Sequence, residues 1–433
     1  MIVANLRAAE FAQDGAACSL YCSRPTGAGS LRRASTAITP HAAELAIAQH
    51  LVPLPLEVRS LQQCVGRILR QDVYAERDNP PFDRVCMDGI AIDSHGGPRR
   101  SFLIEASQAA GAPPVTLSTS AHAIEVMTGA ILPRGTDCVI PLEEYELQQG
   151  TVTLKAEAGI TAFRNVQRRG SDSQPGVPML RTGTRLGAPE IAVVASAGLA
   201  QVSVSAQPAM RVISTGDELI DPGQPIADYQ VRRSNAYAIV AALRDRGFTE
   251  IADDHIPDNE NALLNRLARH LGEASVLILS GGVSKGRFDL VPQALKELKV
   301  REVFHQVAQR PGMPMWFGVG SRQQTVFGLP GNPVSTLMCL IRYVVPALRT
   351  MMGETLNDPE RVALAESFAL ARKATSFVPV LLRHDERGAS TAVPKSASGS
   401  GDFLSLAGTS GFIELPPRPE PFPAGFAARF YRW

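Results

Sequence analysis

Apolar residues recur at helical spacing from Thr39 onward, where Ala43, Leu45, Ile47, Ala48 and Leu51 follow Thr39-Pro40. A capping threonine before a proline predicts the start of an amphipathic helix. A second short helix is expected over about 61–69, after which Asn79-Pro80-Pro81-Phe82-Asp83 interrupts regular structure. Short apolar runs separated by Gly and Pro then predict strands at 89–93, 123–127, 138–141 and 151–154, in small β-rich modules. Residues 186–197 return to a helical pattern. From 209 to about 352 strands and helices alternate. Strands are expected at 211–214, 250–255, 276–280 and 325–328, and helices at 234–246, 259–270, 290–298 and 333–352. That alternation implies βαβ units and a parallel sheet. Beyond Pro359 the chain is β-rich again, with turns at Gly399, Gly401, Gly408 and Gly411, and reads as a small C-terminal barrel or sandwich.

These patterns divide the chain into residues 1–36, 37–208, 209–355 and 356–433. A length of 433 residues agrees, since one core rarely grows so large. Hydrophobic residues at 45% and charged residues at 20% describe a globular chain. A formal net charge of +1 argues against a broad nucleic-acid surface, so any anion recognition must be local. No apolar run approaches the roughly 20 residues of a membrane span, so no membrane partner is expected. The cysteines at 18, 22, 64, 86, 138 and 339 are scattered and read as reduced thiols, not a zinc site. Cys86 and Cys138 lack a nearby histidine and read as small buried residues. The first 36 residues lack an h-region and read as a disordered extension or a mis-assigned start. The expected location is cytoplasmic.

Three glycine-broken loops sit where a buried strand gives way to a helix: Ser214-Thr215-Gly216-Asp217-Glu218, Ser280-Gly281-Gly282-Val283-Ser284 and Gly328-Leu329-Pro330-Gly331-Asn332-Pro333. In an α/β sheet such loops lie at the carboxyl ends of the strands, where ligands bind. Glycine brings backbone N–H groups close to an anion, and a helix N-terminus adds partial positive charge. Glu218 and Asp289 place carboxylates beside this cradle, which points to a phosphorylated ligand with a divalent cation. Asp217 and Glu218 are adjacent, so one of them faces the site and the other caps or is solvated. The plainer alternatives are a tight turn for Gly281-Gly282, helix capping for Asp289 and helix architecture for Asn332-Pro333. Arg310 stands on a proline-stiffened loop suited to an anionic group. Asp83 and Asp88 are turn formers or acids that complete an interdomain site.

In this order, the strings PPFDRVCMDGIAI, MTGAILPRGTDCVIP, RRGSD, STGDEL, SGGVSKGRFD, RPGMP and GLPGNPVS resemble the molybdopterin molybdenumtransferases of the MoeA type, also found in gephyrin. The resemblance runs from about residue 38 to the C-terminus. It implies a multidomain α/β protein: a central parallel α/β (MogA-like) domain, β-rich N-terminal subdomains and a small C-terminal β-barrel. It also implies molybdate insertion into adenylylated molybdopterin, with Mg²⁺ and release of AMP, in an elongated homodimer. A molybdopterin adenylyltransferase and apo-molybdoenzymes are the implied further partners. Carried over by motif, Asp88, Glu218 and Asp289 are the catalytic acids, with Asp289 and Glu218 on the metal. Thr128, Arg169, Asp172, Gly281, Gly282, Ser284, Arg310, Pro330, Gly331, Asn332 and Ser335 bind substrate.

The chain departs from the family pattern at Met313, where a second lysine is common, and at Gln167, where an arginine is common. Ile90 replaces a tyrosine, and Arg287 stands where an acid is frequent. Each lost charged hydrogen bond beside an oxyanion would cost about 1–3 kcal/mol. The alternatives are therefore a paralogue with tungstate or another oxyanion preference, a molybdopterin adenylyltransferase, and a non-catalytic cleft-binding scaffold. The long PPFD…MDG half argues against the adenylyltransferase, and the three acids argue against the scaffold.

Overall fold

The computed structural model describes residues 37–283, 290–370, 373–386, 388–395, 399 and 401–433. The extension expected at 1–36, together with Cys18 and Cys22, lies outside the described residues. The first helix, Pro40–Ala48, starts where Thr39 Oγ1 accepts the Ala42 N–H at 3.2 Å. The helix expected over 61–69 is instead a three-residue 3₁₀ turn, Leu61–Gln63. Gly66 takes φ +76° and breaks the pattern, and Ile68 and Leu69 bridge to Arg185 and Val204.

The N-terminal half is built on a six-stranded sheet in the order Cys138–Pro141, Gly89–Ile92, His122–Val126, Ser101–Gln108, Thr151–Leu154, Tyr145–Gln148. Gly89–Ile92 is buried throughout, and a Cβ on Gly89 would sit 2.0 Å from the Ile140 carbonyl oxygen. Only glycine lets these neighbouring strands approach so closely.

The central sheet runs Ile251–Ile256, Met210–Thr215, Val276–Ser280, Thr325–Leu329, Trp316–Val319, Arg301–His305. The first four strands are parallel, and the last two extend the sheet antiparallel. Val276–Ser280 and Thr325–Leu329 are buried at every position, as strands covered on both faces must be. Val276 and Ile278 pack into one core, and Leu277 and Leu279 into the other.

The long helix begins at Pro333 and runs to Met351 through a π turn at Leu340–Val344. Pro346 cannot donate to the Arg342 carbonyl, and the widened turn absorbs that loss. This 19-residue helix is apolar enough to span a bilayer, contrary to the reading of the bare sequence, but 78% of it is buried inside the protein. It is the central core helix.

At the C-terminus, Arg361–Leu364, Thr375–His384, Ser390–Pro394, Gly411–Leu415 and Ala427–Arg432 form a closed five-stranded barrel, sealed by the pairing of Thr375–His384 with Gly411–Leu415. The short strand Gln309–Arg310 pairs with Thr375–Ser376 and joins the Arg310 loop to this barrel.

Candidate functional site

The three glycine-broken loops converge at the carboxyl ends of the central strands. Gly281 and Gly282 adopt φ +96° and +65°. A Cβ on Gly282 would lie 2.7 Å from Val291 Cγ2 and 2.8 Å from Thr215 Oγ1. Gly281 Cα lies 3.6 Å from where a Cβ on Gly331 would stand, so the two loops meet backbone to backbone. Asn235 ties them together: its side-chain N–H groups donate to Ser280 Oγ at 2.9 Å and the Gly331 carbonyl at 2.7 Å. Asn332 occupies the N-cap position of the long helix, and Thr336 Oγ1 donates to its carbonyl at 3.0 Å.

Two cavities open beside these loops. The first, about 410 Å³, is lined by Thr215, Glu218, Asn235, Gly281, Gly331 and Asn332 among others. Ser214 and Thr215 are buried at its wall, and their hydroxyl oxygens have no partner among the described residues. The Asn235 Oδ1 is likewise unpartnered. Buried polar atoms without partners call for a ligand or water. Glu218 faces this cavity, whereas Asp217 turns away and its Oδ1 accepts the Asp258 N–H at 3.0 Å. Partial burial, then the negative charges of Asp217 and Glu218, push the Asp258 carboxyl above its usual range.

The second cavity, about 550 Å³, lies between the Arg310 loop, the long helix and the barrel. Arg310, Met313, Pro330, Asn332, Ser335, Ser376 and Lys395 contribute to its wall, and no carboxylate does among the described residues. Ser335 and Ser376 are buried. Asn332 lines both cavities.

Asp88, Thr128, Arg169 and Asp172 line neither cavity. Asp88 Oδ1 accepts the Thr128 N–H at 2.6 Å and its hydroxyl at 2.8 Å, and these bonds hold the Asp88 carboxyl below the usual range. Arg169 Nε donates to Asp78 at 2.6 Å, and its backbone N–H donates to Asp83 at 2.8 Å. Gln167 accepts from Arg84 Nε at 3.1 Å and donates to Asp172 at 2.7 Å, so it bridges a cation and an anion. Ile90 is wholly buried in the sheet core, and Met313 is 39% exposed in the second cavity. Ser284, Arg287 and Asp289 lie outside the described residues.

Cys86 is exposed, against the expectation of a buried residue, because it follows Val85 at the rim just before the exposed Met87 and Asp88. Cys138 is buried as expected, and burial pushes the Cys339 thiol up to about 12. The sequence reading missed Asp258, Asn235, Ser376 and Lys395. Asp258 follows the strand Ile251–Ile256 at its carboxyl end, so the rule that locates ligands there reaches it. Lys395 and Ser376 come from the barrel and meet the site only in three dimensions.

A doubly covered α/β sheet with glycine loops and unpartnered buried hydroxyls at its carboxyl edge, joined to a closed barrel, defines a multidomain α/β protein. The profile of the MoeA N-terminal region (domain I and II) matches residues 35–198, that of the probable molybdopterin binding domain 211–350, and that of the MoeA C-terminal region (domain IV) 361–433. The chain is 38% identical to the molybdopterin molybdenumtransferase of Synechocystis sp. over 372 residues, 85% of this chain and 93% of that protein. It is 29% identical to that of Staphylococcus aureus strain Mu50 over 385 residues, 86% and 90% of the two chains. The molybdopterin biosynthesis MoeA protein from Pyrococcus horikosii superposes with a TM-score of 0.71 at 27% identity, covering 92% of this chain and 99% of that one. The chain belongs to the molybdopterin molybdenumtransferase family, transferases of molybdenum cofactor biosynthesis.

Proposed function

We propose that this chain inserts molybdate into adenylylated molybdopterin and releases AMP in a Mg²⁺-dependent step. The observation that carries the reading is the pair of adjoining cavities at the glycine loops, which share Asn332. The first offers glycine backbone, orphaned hydroxyls, Glu218 and the cations of Arg232 and Arg233, which suits a nucleotide phosphoanhydride. The second offers Arg310, Lys395 and two buried serines without a carboxylate among the described residues, which suits an oxyanion such as molybdate.

Asp217, Glu218 and Asp258 lie within electrostatic reach of one another, and a divalent cation relieves such repulsion. Hard oxygen donors of this kind fit Mg²⁺. Glu218, with Asp258 and Asp289, would hold it, and Mg²⁺ would supply positive charge against the phosphoanhydride. Backbone N–H groups of the glycine loops orient the phosphates.

Asp88 and Thr128 line neither cavity of their own chain, which supports a homodimer in which the partner subunit supplies that wall together with Arg169 and Asp172. The same reading places the protein in the cytoplasm, with a molybdopterin adenylyltransferase upstream and apo-molybdoenzymes downstream. It divides the chain at 36/37, 208/209 and 355/356, sites that limited proteolysis would report.

The test is AMP release from adenylylated molybdopterin with Mg²⁺, titrated with molybdate and then tungstate, on the wild type and Asp289→Ala. Molybdate-dependent release that the variant loses is the expected result. Release that prefers tungstate would point to Met313 and Gln167 as the changes behind oxyanion choice. Tight substrate binding without release of AMP would favour the scaffold reading instead.

A further inference from the structure

The strand Ile251–Ile256 is an edge strand of the central sheet, and three consecutive residues on it reach different neighbours. Asp253 pairs with Arg233 at 2.8 Å. Asp254 accepts from His270 at 2.7 Å and pairs with Arg266. His255 turns to the acid-bearing loop: its Nε2 lies 2.9 Å from the Gly216 carbonyl oxygen. A carbonyl only accepts, so Nε2 carries the proton and the ring donates. The same oxygen accepts the Leu219 N–H at 3.3 Å, which closes a tight turn over 216–219.

Glu218 depends on that turn. Gly216 has φ +139°, and a Cβ there would fall 2.4 Å from the Glu218 carboxylate, so the carboxylate lies directly over the glycine. Glu218 is therefore packed against the backbone of the glycine whose carbonyl the ring holds. A second tether lies three residues beyond His255, where the Asp258 N–H donates to Asp217 at 3.0 Å. His255 also sits close enough to Asp258 for its charge to act on that carboxyl. On the opposite edge of the sheet, His305 Nε2 donates in the same way to the Val283 carbonyl at 2.8 Å, behind the Ser280–Gly282 loop.

We propose that His255 is a positioning residue: its ring N–H fixes the Gly216 peptide, and through it the place of Glu218 in the wall of the first cavity. The inference rests on the reading of Glu218 as a site acid. It does not involve His255 touching substrate. A displaced carboxylate degrades the chemical step more than substrate binding, since misplacement by about 1 Å costs up to roughly 100-fold in rate.

The test uses the full chain and the variants His255→Ala and His255→Gln. It combines steady-state AMP release with hydrogen exchange at the Leu219 and Asp258 amides. His255→Ala is expected to lower kcat on the order of tenfold with KM nearly unchanged. Exchange at both amides should accelerate while the thermal midpoint holds. His255→Gln, whose amide N–H also donates, should recover most of the kcat and the protection. Unchanged exchange and unchanged kcat in His255→Ala would overturn the proposal, as would an equal loss of kcat in both variants with no change in exchange. Should the wild type release no AMP, the proposed chemistry fails, and the exchange data alone still decide whether His255 holds the loop.

Discussion

Asp258 is where the local chemistry is most concentrated, since Asp217 and Glu218 both act on it. An acid whose native value is raised binds its proton more tightly in the folded state. Its effect on stability is therefore unfavourable above that raised value and disappears below the ordinary value of 3.8. In Mg²⁺-free buffer, Asp258→Asn should raise the thermal midpoint at neutral pH and leave it unaltered well below pH 3.8. Added Mg²⁺ should stabilise the wild type more than the variant, because a ligand that binds only the folded state shifts the midpoint. Calorimetric scans with and without EDTA check both statements. An equal Mg²⁺ response in the two proteins would remove Asp258 from the cation site.

At the scale of elements, glycines decide which strands and loops can approach. Gly89→Ala should destabilise by about 2–4 kcal/mol, since the new Cβ meets backbone in place of a flexible side chain. Denaturant titration checks it, and a loss below about 1 kcal/mol would mean that the strands separate freely. The same elements show what the sequence made legible. Val276–Ser280 announced itself as an apolar run, the strand expected over 325–328 runs one residue further as Thr325–Leu329, and Cys138–Pro141 and Thr151–Leu154 matched their expected ranges. Trp316–Val319 and Arg301–His305 escaped notice, because Pro311, Pro314 and the charged Arg301-Glu302 pair obscure a strand pattern. The helix expected over 61–69 failed at Gly66, where tertiary bridges overrode apolar spacing. The glycine loops were legible as loops at the carboxyl ends of strands because their spacing is local. The Lys395 and His255 contributions were not, because each depends on which distant loop a strand end meets.

At the scale of the whole molecule, one core runs from Ala43 and Ile47 through Met338 and Leu348 to Phe412 and Tyr431. The α/β sheet and the barrel therefore share buried surface, which is how barrel residues reach the second cavity. Arg342, on the π turn of the long helix, is the polar counterpart of that shared core. Its side chain is 2% exposed and pairs with Glu44 at 2.9 Å and with Glu414 at 3.0 Å, between the rings of Tyr343 and Tyr431. Arg342→Ala leaves Glu414, whose side chain is only 14% exposed, without its cation and should cost about 3–5 kcal/mol. Glu44→Gln, at a half-exposed position, should cost under about 1 kcal/mol. Chemical denaturation of the two variants would separate these, and equal losses would contradict the account of Arg342 as the link.

In the proposed homodimer, Asp88 of one subunit and Glu218 of the other would face one cleft. The most direct measurement is molybdate-dependent AMP release after mixing Asp88→Asn subunits with Glu218→Gln subunits under conditions that exchange protomers. Each variant alone should be inactive, and the mixture should regain activity through hybrid dimers with one intact cleft. A mixture as inactive as its components, although hybrids form, would contradict a cleavage site built across two subunits.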